Sequence, residues 1–546
     1  MHITLLVALV WTSVALFSSS AFAQSQATGA DSRQKEVAAA QGPRSRDSEV
    51  AAYPSPDYLK SEIETLKEEN SVVRELLRKM EEQQRALLEQ VDRMQQRLDG
   101  VTTAAVQPAG EPRVAEVSNP LAPDANAPAP AAENGSAPAQ QALVEDPAKE
   151  DRYRDGILIW ENPESAKVPF MLRFNNNTQV RYLNTLDSKE TFTDHLGVVR
   201  EVHNRNDITV NRSMFIFAGY MFDPKLQYSL TVWTSAGAAS IVVAGNIGWR
   251  FNKALTLTGG YTGVPGSRSL VNTFPFFQPT DRSMADNFFR PGFTQGAWAN
   301  GEPVKGLSYL AFVGNGLNTL NITANKIDTN LLLSGSVWWE PLGYYSEPGK
   351  SRQMYDDYFA SDKTRIRIGS SFTRSREDRF SATDQSSPDN QSIYNSDGVL
   401  AFATGAFAPG VTLQEATYRM WAIDGGFKKS GFSVNGQYYM RWLNDFEADG
   451  PLPLASTFDH GFELSMAKFL VPQTLALYAR GSKVFGQFES PYEYGGGLKW
   501  YFLPTERLWM TGELMRVHRS PYSGAFTPYT AGMDGWVPMV QTVLAF

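Results

Sequence analysis

The chain of 546 residues has no cysteine, five histidines and, beyond its first 23 residues, no apolar run long enough for a membrane-spanning helix. The absence of cysteine excludes disulfides, which soluble domains of oxidising compartments often use. The absence of long apolar runs excludes a helical membrane protein. A closed β-barrel, in which every backbone group is paired, is the other structure that can cross a membrane.

Catalytic and metal-binding motifs are also missing. The histidines stand outside any H-E-x-x-H or metal-ligand spacing, and there is no G-x-S-x-G motif. Asp459 and His460 are adjacent, but neighbours on a strand point to opposite faces. Basic and acidic residues are equal in number from residue 151 onward, so charge indicates no nucleic-acid partner. We expect neither an enzyme nor a bound metal or cofactor.

The N-terminal region has the pattern of an exported protein. Residues 3–17 are almost wholly apolar, and Ala21-Phe22-Ala23 forms an A-x-A cleavage site, although His2 is the one basic-type residue before the apolar run. Residues 1–23 are therefore predicted to be a secretory signal peptide. Residues 24–56 are polar and rich in alanine and serine, which predicts disorder.

A strict heptad pattern follows within residues 57–99. Two apolar seams recur every seven residues, interrupted by Asn70 and Gln84. A period of 3.5 maintained over nearly six heptads predicts a coiled coil, because a straight helix drifts against it. Asn70 and Gln84 would then fix its register at some cost in stability. A single solvated helix is the alternative. Residues 100–155 are rich in alanine and proline and are predicted to be a disordered linker.

From residue 156 to 546 the sequence alternates between apolar and polar positions, as strands do. One example is the run from Phe432 to Trp442, and turn signals such as Asp223-Pro224-Lys225 separate the strands. A soluble β-sandwich would also alternate. Segments of about ten residues, with short turns at one end and long loops at the other, instead indicate an all-β, antiparallel transmembrane barrel of about 16 strands, with 18 as an alternative.

The ends of this barrel can be assigned from loop length and aromatic residues. Long connections are expected together at one end: 187–206, 263–289, 340–361, 374–414 and 444–459. Aromatic residues at strand ends are expected to form interfacial girdles, namely Trp338, Trp339, Trp500, Tyr501, Phe502 and Trp509. The last strand ends in Phe546, as in outer-membrane barrels, where a C-terminal Phe belongs to the signal that the barrel-assembly machinery reads. A soluble protein whose last strand happens to end in Phe is the alternative.

Residues 263–289 are too apolar and aromatic for a loop in water, so we expect them to fold into the lumen. Packing against neighbouring loops or a trimer partner is the alternative. Strand parity places further basic residues on the lumen wall, each of which could instead be a structural residue paired with a carboxylate such as Glu463 or Glu513. The candidate pore and selectivity residues are Arg268, Arg282, Arg290, Arg365, Arg367, Arg441 and Arg480.

The same loop carries a family resemblance. The motifs are Gly259-Gly260-Tyr261, Pro265-Gly266-Ser267-Arg268, Asp281-Arg282-Ser283, Phe288-Phe289 and Gly292-Phe293. They resemble the phosphate-selective porin O and P family, and the resemblance covers about residues 165–546. It implies a 16-stranded trimeric channel with a narrow basic constriction that favours anions. The chain departs from the family in lacking a regular arginine ladder, so the expected solutes include carboxylates as well as phosphate.

These features together predict an outer-membrane porin for the passive uptake of small solutes, with anions preferred, and a periplasmic N-terminal region. The expected partners are outer-membrane lipid, the barrel-assembly machinery, small anionic solutes and two further copies in a homotrimer; peptidoglycan is an additional candidate. The alternative is a structural anchor whose coiled coil links the outer membrane to the cell wall.

Overall fold

The computed structural model describes residues 152–546 apart from 164, 236–239, 272, 320–326, 328, 347–353, 380–391 and 525. The predicted signal peptide, the disordered segment, the coiled coil with Asn70 and Gln84, and most of the linker therefore lie outside the described residues. No helix in the described part of the chain is long and apolar enough to cross a membrane.

Antiparallel strands make up most of the described residues. The strands are β1 Ile157–Glu161, β2 Phe170–Asn184, β3 Thr191–Thr193, β4 Val199–Glu201, β5 Asn206–Met221, β6 Asp223–Ser235, β7 Ser240–Asn252, β8 Leu255–Gly263, β9 Phe293–Val304, β10 Leu307–Gly314, β11 Leu332–Trp339, β12 Arg365–Asp378, β13 Leu413–Lys429, β14 Phe432–Ala448, β15 Thr457–Val471, β16 Leu475–Phe485, β17 Tyr492–Tyr501, β18 Leu508–His518 and β19 Gly535–Ala545. One short helix, α1, spans Met284–Phe289, and a 3-10 turn spans Arg268–Leu270.

Sixteen of these strands close into a barrel. β2 and then β5 to β19 each pair with the next strand, and β19 pairs back with β2 to complete the ring. The prediction of an antiparallel barrel is confirmed, and the number of strands is 16 rather than 18. β1 is additional to the ring: it pairs with Met171–Phe174 of β2, beyond the point where β19 ends, and so extends the wall there. β3 and β4 form a separate hairpin between β2 and β5.

Alternation along each strand separates an apolar outer face from an inner face. On β14, Phe432 and Tyr438 point outward and are exposed, whereas Ser433, Gln437 and Arg441 point inward and are buried. Cross-strand register continues this parity around the ring, since directly paired residues share a face. An apolar exterior with polar groups inside is the arrangement that a barrel needs in lipid.

Exposed aromatic residues form two bands on the outer face. One band lies near the end where β2 begins and β19 ends, and includes Trp249, Trp339, Phe432 and Trp500; the other lies near the opposite end and includes Phe458, Phe485, Tyr492 and Trp536. The predicted girdle is thus confirmed for Trp339 and Trp500. It is wrong for Trp338, Tyr501 and Trp509, which are buried on the inner face because each lies one residue out of phase with its outward neighbours.

Most connections at the first end, here called the turn end, are short, and most connections at the opposite loop end are long. One prediction about them is wrong. The connection across residues 340–364 follows β11, which runs towards the turn end, so this long segment lies there and not with the other long loops. A single strand, β12, separates this segment from the long connection predicted at residues 374–414, so the two connections must lie at opposite ends of the barrel.

Candidate functional site

The barrel interior contains the segment that sequence predicted to fold inward. Residues 264–292, here called the inserted segment, leave β8 at the loop end and cross the lumen before β9 begins. Ser336 on β11 donates a hydrogen bond to the carbonyl of Pro265, Gln541 on β19 donates to the carbonyl of Thr280, and Tyr418 on β13 donates to the carbonyl of Phe289. The prediction of an inward loop is confirmed.

Helix α1 anchors the middle of the inserted segment. The hydroxyl of Ser283 accepts a hydrogen bond from the amide of Asp286, which caps the helix N-terminus. The amides of Met284 and Ala285 donate to Glu493 on β17 and Ser482 on β16. The wall therefore satisfies backbone groups that a short helix leaves free at its N-terminus. The same contacts hold the segment against β16 and β17.

Asp281 ties the inserted segment to the start of the barrel. Its carboxylate forms an ion pair with Arg181 on β2 and lies 3.3 Å from the guanidinium of Arg212 on β5. Burial alone would raise the pKa of Asp281, but the positive charges of Arg212 and Arg181 hold that pKa below its ordinary value. Asp281 is therefore a buried carboxylate that stays ionised between two buried arginines.

The predicted selectivity residues on the inserted segment are all buried. The guanidinium carbon of Arg268 lies 4.2 Å from the centre of the Tyr355 ring, and its Nε lies 3.9 Å from the carboxylate of Asp424 on β13. Arg282 lies 3.7 Å from Asp286 and donates a hydrogen bond to Ser269. Arg290 follows α1 and is 1% exposed. These arginines lie inside the barrel as predicted, but their charged groups are packed rather than open to water.

The predicted arginines of the barrel wall are also buried, with one exception. Arg367 lies 2.9 Å from Asp424, Arg441 lies 2.7 Å from Asp459, and Arg480 lies 2.6 Å from Glu513. The alternative that such residues pair with carboxylates is confirmed for Arg480 and Glu513. The other carboxylate named with it, Glu463, instead accepts a hydrogen bond from Ser283.

The exception is Arg365, which is only half-buried and lies at the turn end of β12.

A second segment that sequence reasoning missed enters from the turn end. Residues 340–364, here called the floor segment, are held by Lys428 on β13, which donates to the carbonyls of Tyr345 and Met354. Asp356 lies 2.6 Å from Lys499 on β17. The clustered run Tyr355 to Phe359, with two aspartates among aromatic residues, was the available signal that this connection is buried rather than solvated.

The two segments meet inside the barrel. The amide of Tyr355 donates to the carbonyl of Phe276 at 3.0 Å, and the rings of Tyr355 and Phe277 pack with their centroids 5.7 Å apart. Arg268 lies over the rings of both Tyr345 and Tyr355. Insertions from opposite ends therefore pack together and fill the side of the lumen bounded by β11 to β19 and β2.

The other side of the lumen is less filled. Many inward-facing side chains on β5 to β10 keep part of their surface exposed, although Trp233, Val242 and Phe312 are buried, whereas those of β12 to β19 are mostly buried. In a closed barrel, exposure of an inward-facing group can only be exposure to the lumen. The partly exposed polar groups of this open side include Gln227, Ser229, Thr231, Asn246, Thr258 and Asn300. The open side is therefore the candidate path through the barrel.

Two histidines of the described part of the chain lie beside aspartates, His195 beside Asp397 and His518 beside Asp534. His460 points outward and contacts the hydroxyl of Tyr438, while the adjacent Asp459 points inward to Arg441, as strand parity predicts. The Nδ1 atom of His195 lies 2.6 Å from the carboxylate of Asp397, and the imidazole ring stacks on Phe488. The pair joins two loops. No group of acidic or histidine side chains that could hold a metal occurs among the described residues.

No family model matches the chain, and no curated protein matches it. Solved structures with a similar outline include OmpT of Vibrio cholerae, at 11% identity and a TM-score of 0.41, covering 71% of this chain and 100% of that one. The anion-selective porin from Comamonas acidovorans has 10% identity and a TM-score of 0.41, covering 69% and 100%. OprB of Pseudomonas putida has 10% identity and a TM-score of 0.39, covering 69% and 94%. Similarities at this level carry no argument about function.

Proposed function

We propose that the protein is an outer-membrane porin, a passive channel for small hydrophilic solutes. The observation that carries the proposal is the combination of a closed 16-stranded barrel, apolar outside, with partly exposed polar side chains along the inner face of β5 to β10. A barrel of this size encloses more space than its own side chains fill. The inserted segment and the floor segment occupy one side of that space and narrow the path on the other.

The proposed orientation places the turn end in the periplasm. Short periplasmic turns and longer external loops are typical of outer-membrane barrels. Residues 24–155, with the predicted coiled coil of residues 57–99, would then lie in the periplasm. A three-stranded coiled coil would match a barrel homotrimer. Phe546 is proposed as part of the signal for the barrel-assembly machinery, and outer-membrane lipid would cover the apolar face.

The sequence also predicts a preference for anions such as phosphate or carboxylates, and the pairing of the interior arginines with carboxylates works against it. The interior does contain many arginines, which bind such groups well. Their nearest carboxylates, however, neutralise much of the field that a permeating ion would meet. If Arg282 sets selectivity, Arg282→Met moves the reversal potential in a salt gradient towards the cation side. An unchanged reversal potential, with the folded protein intact, removes this residue from the filter.

A structural anchor is the second candidate. The inserted segment and the floor segment already fill one side of the lumen, and a barrel filled throughout would not conduct. Current across planar bilayers distinguishes the two functions. Purified full-length protein is expected to give stepwise current increases in salt solution. If well-folded, heat-modifiable protein inserts without producing steps, the channel proposal fails and the anchor becomes the better account.

A further inference from the structure

We infer that the path through the barrel selects small uncharged solutes with several hydroxyl groups, such as simple sugars. The inference rests on the proposed channel function and adds the class of solute. It depends on one contrast inside the barrel: charged groups are concentrated and paired on the filled side, while the open side presents groups that can form hydrogen bonds without carrying charge.

The open side carries hydroxyl and amide groups at mid-height. Ser229 on β6 pairs across the sheet with Asn246 on β7, and Thr258 on β8 lies between Gly248 and Trp298 of the neighbouring strands. All of these inward groups other than Gly248 retain partial exposure. Hydroxyl and amide groups both donate and accept hydrogen bonds, so they can replace the water around a sugar hydroxyl from either direction.

Ionisable groups with the same inward parity lie near the ends of these strands. Arg250 and Glu302 are at the turn end of β7 and β9, and Asp207 is at the loop end of β5. The one inward cation at mid-height on these strands in the described residues is Arg212, which is fully buried beside Asp281. A solute halfway along the path therefore meets no accessible charge on this wall.

The inserted segment supplies the facing surface. Leu270, Phe274, Pro275 and Phe276 are partly exposed, whereas Arg268 and the other arginines of the segment are packed against the wall or neighbouring side chains. Apolar groups of the inserted segment thus face a wall on which hydrogen-bonding groups are interspersed with apolar inward residues such as Ile216, Trp298 and Leu310. A sugar offers both kinds of surface, through its C–H groups and its hydroxyls. A small ion that loses hydration water in a narrow pore needs a charged or strongly polar ring to compensate it, and the open wall has none.

The test uses full-length protein in liposomes and three solutes of matched size: glucose, its carboxylate analogue glucuronate and its amine analogue glucosamine. Glucose is expected to swell the liposomes fastest, and changing the salt concentration should leave its rate unchanged. Faster entry of glucuronate than of glucose would overturn the inference while leaving the channel in place. Swelling with none of the three, together with the absence of ion current, would instead overturn the proposed function.

Variants locate the effect on the open wall. Ser229→Asp is expected to slow glucuronate relative to glucose severalfold, and Ser229→Lys to slow glucosamine in the same way. Thr474 is exposed in the turn between β15 and β16, so Thr474→Asp and Thr474→Lys are controls that change net charge equally outside the lumen. If both Ser229 variants conduct but keep the wild-type ratios, the path does not run along this wall and the inference fails.

Discussion

Lys499 on β17 and Asp356 in the floor segment form a buried ion pair, with 2.6 Å between Nζ and Oδ2, although 143 residues separate them in sequence. Lys499 also donates to the carbonyl of Phe277 at 2.7 Å, so a single ammonium group contacts both the floor segment and the inserted segment. Removing one partner of such a buried pair destabilises the fold, because the other charge stays buried without compensation.

We therefore predict that Lys499→Met destabilises the packed interior by about 3–5 kcal/mol, since Asp356 would be left charged and buried. The measurement is the temperature at which the barrel loses its fast electrophoretic mobility. Lys468→Met is the control, because Lys468 is exposed on the outer face at the turn end. A variant of Lys499 that unfolds at the wild-type temperature would contradict the anchoring role.

The buried carboxylate of Asp281 predicts resistance to mild acid. Because Arg212 and Arg181 hold its pKa below the ordinary value of about 4, its stabilising contribution is complete above the unfolded value and is lost as pH falls towards the lower folded value. Channel conductance at fixed salt should therefore show no step from this group between neutral pH and pH 5. Asp281→Asn removes the charge at every pH and should give unstable current already at neutral pH. Wild-type current in that variant would contradict the role of the ion pair.

Closure of the barrel predicts a role for Phe546. Its backbone exchanges two hydrogen bonds with Asn176, and its ring packs edge-on against Phe174 with the centroids 5.8 Å apart. Phe546→Ala should lower the amount of folded protein in the outer membrane. Trp536→Ala, which removes an exposed aromatic residue from the same strand, is the control. Equal amounts of folded protein in both variants would remove Phe546 from the proposed assembly signal.

The coiled coil lies outside the described residues, and its prediction rests on the heptads alone. A peptide of residues 57–99 should be helical and trimeric in solution. Asn70→Ile should raise its melting temperature and loosen its choice of oligomer, because a polar residue in the seam fixes register at a cost in stability. Sedimentation and circular dichroism measure both effects. A peptide that stays monomeric and unfolded at high concentration would contradict the prediction.

Sequence predicted the features that depend on local patterns. The period of two along β14 placed Arg441 inside and Tyr438 outside, and the apolar composition of residues 263–289 predicted an inserted loop. It could not assign the partners of the arginines. Whether Arg367 faces Asp424 depends on the register between β12 and β13, which whole strands determine together. The floor segment was missed because a single strand, β12, separates residues 340–361 from residues 374–414, so two long connections that were expected at the same end must lie at opposite ends.

The absence of cysteine from the chain makes one measurement decisive for the path through the barrel. Ser229→Cys and Thr258→Cys place a thiol on the open side, and Ser433→Cys places one on the filled side, where Ser433 contacts Gln278 and is fully buried. Bilayer current is recorded while a water-soluble methanethiosulfonate reagent is added. The structure predicts that the current falls in the first two variants and is unchanged in the third. A fall in the Ser433 variant, with unchanged current in the other two, would contradict the assignment of the open and filled sides.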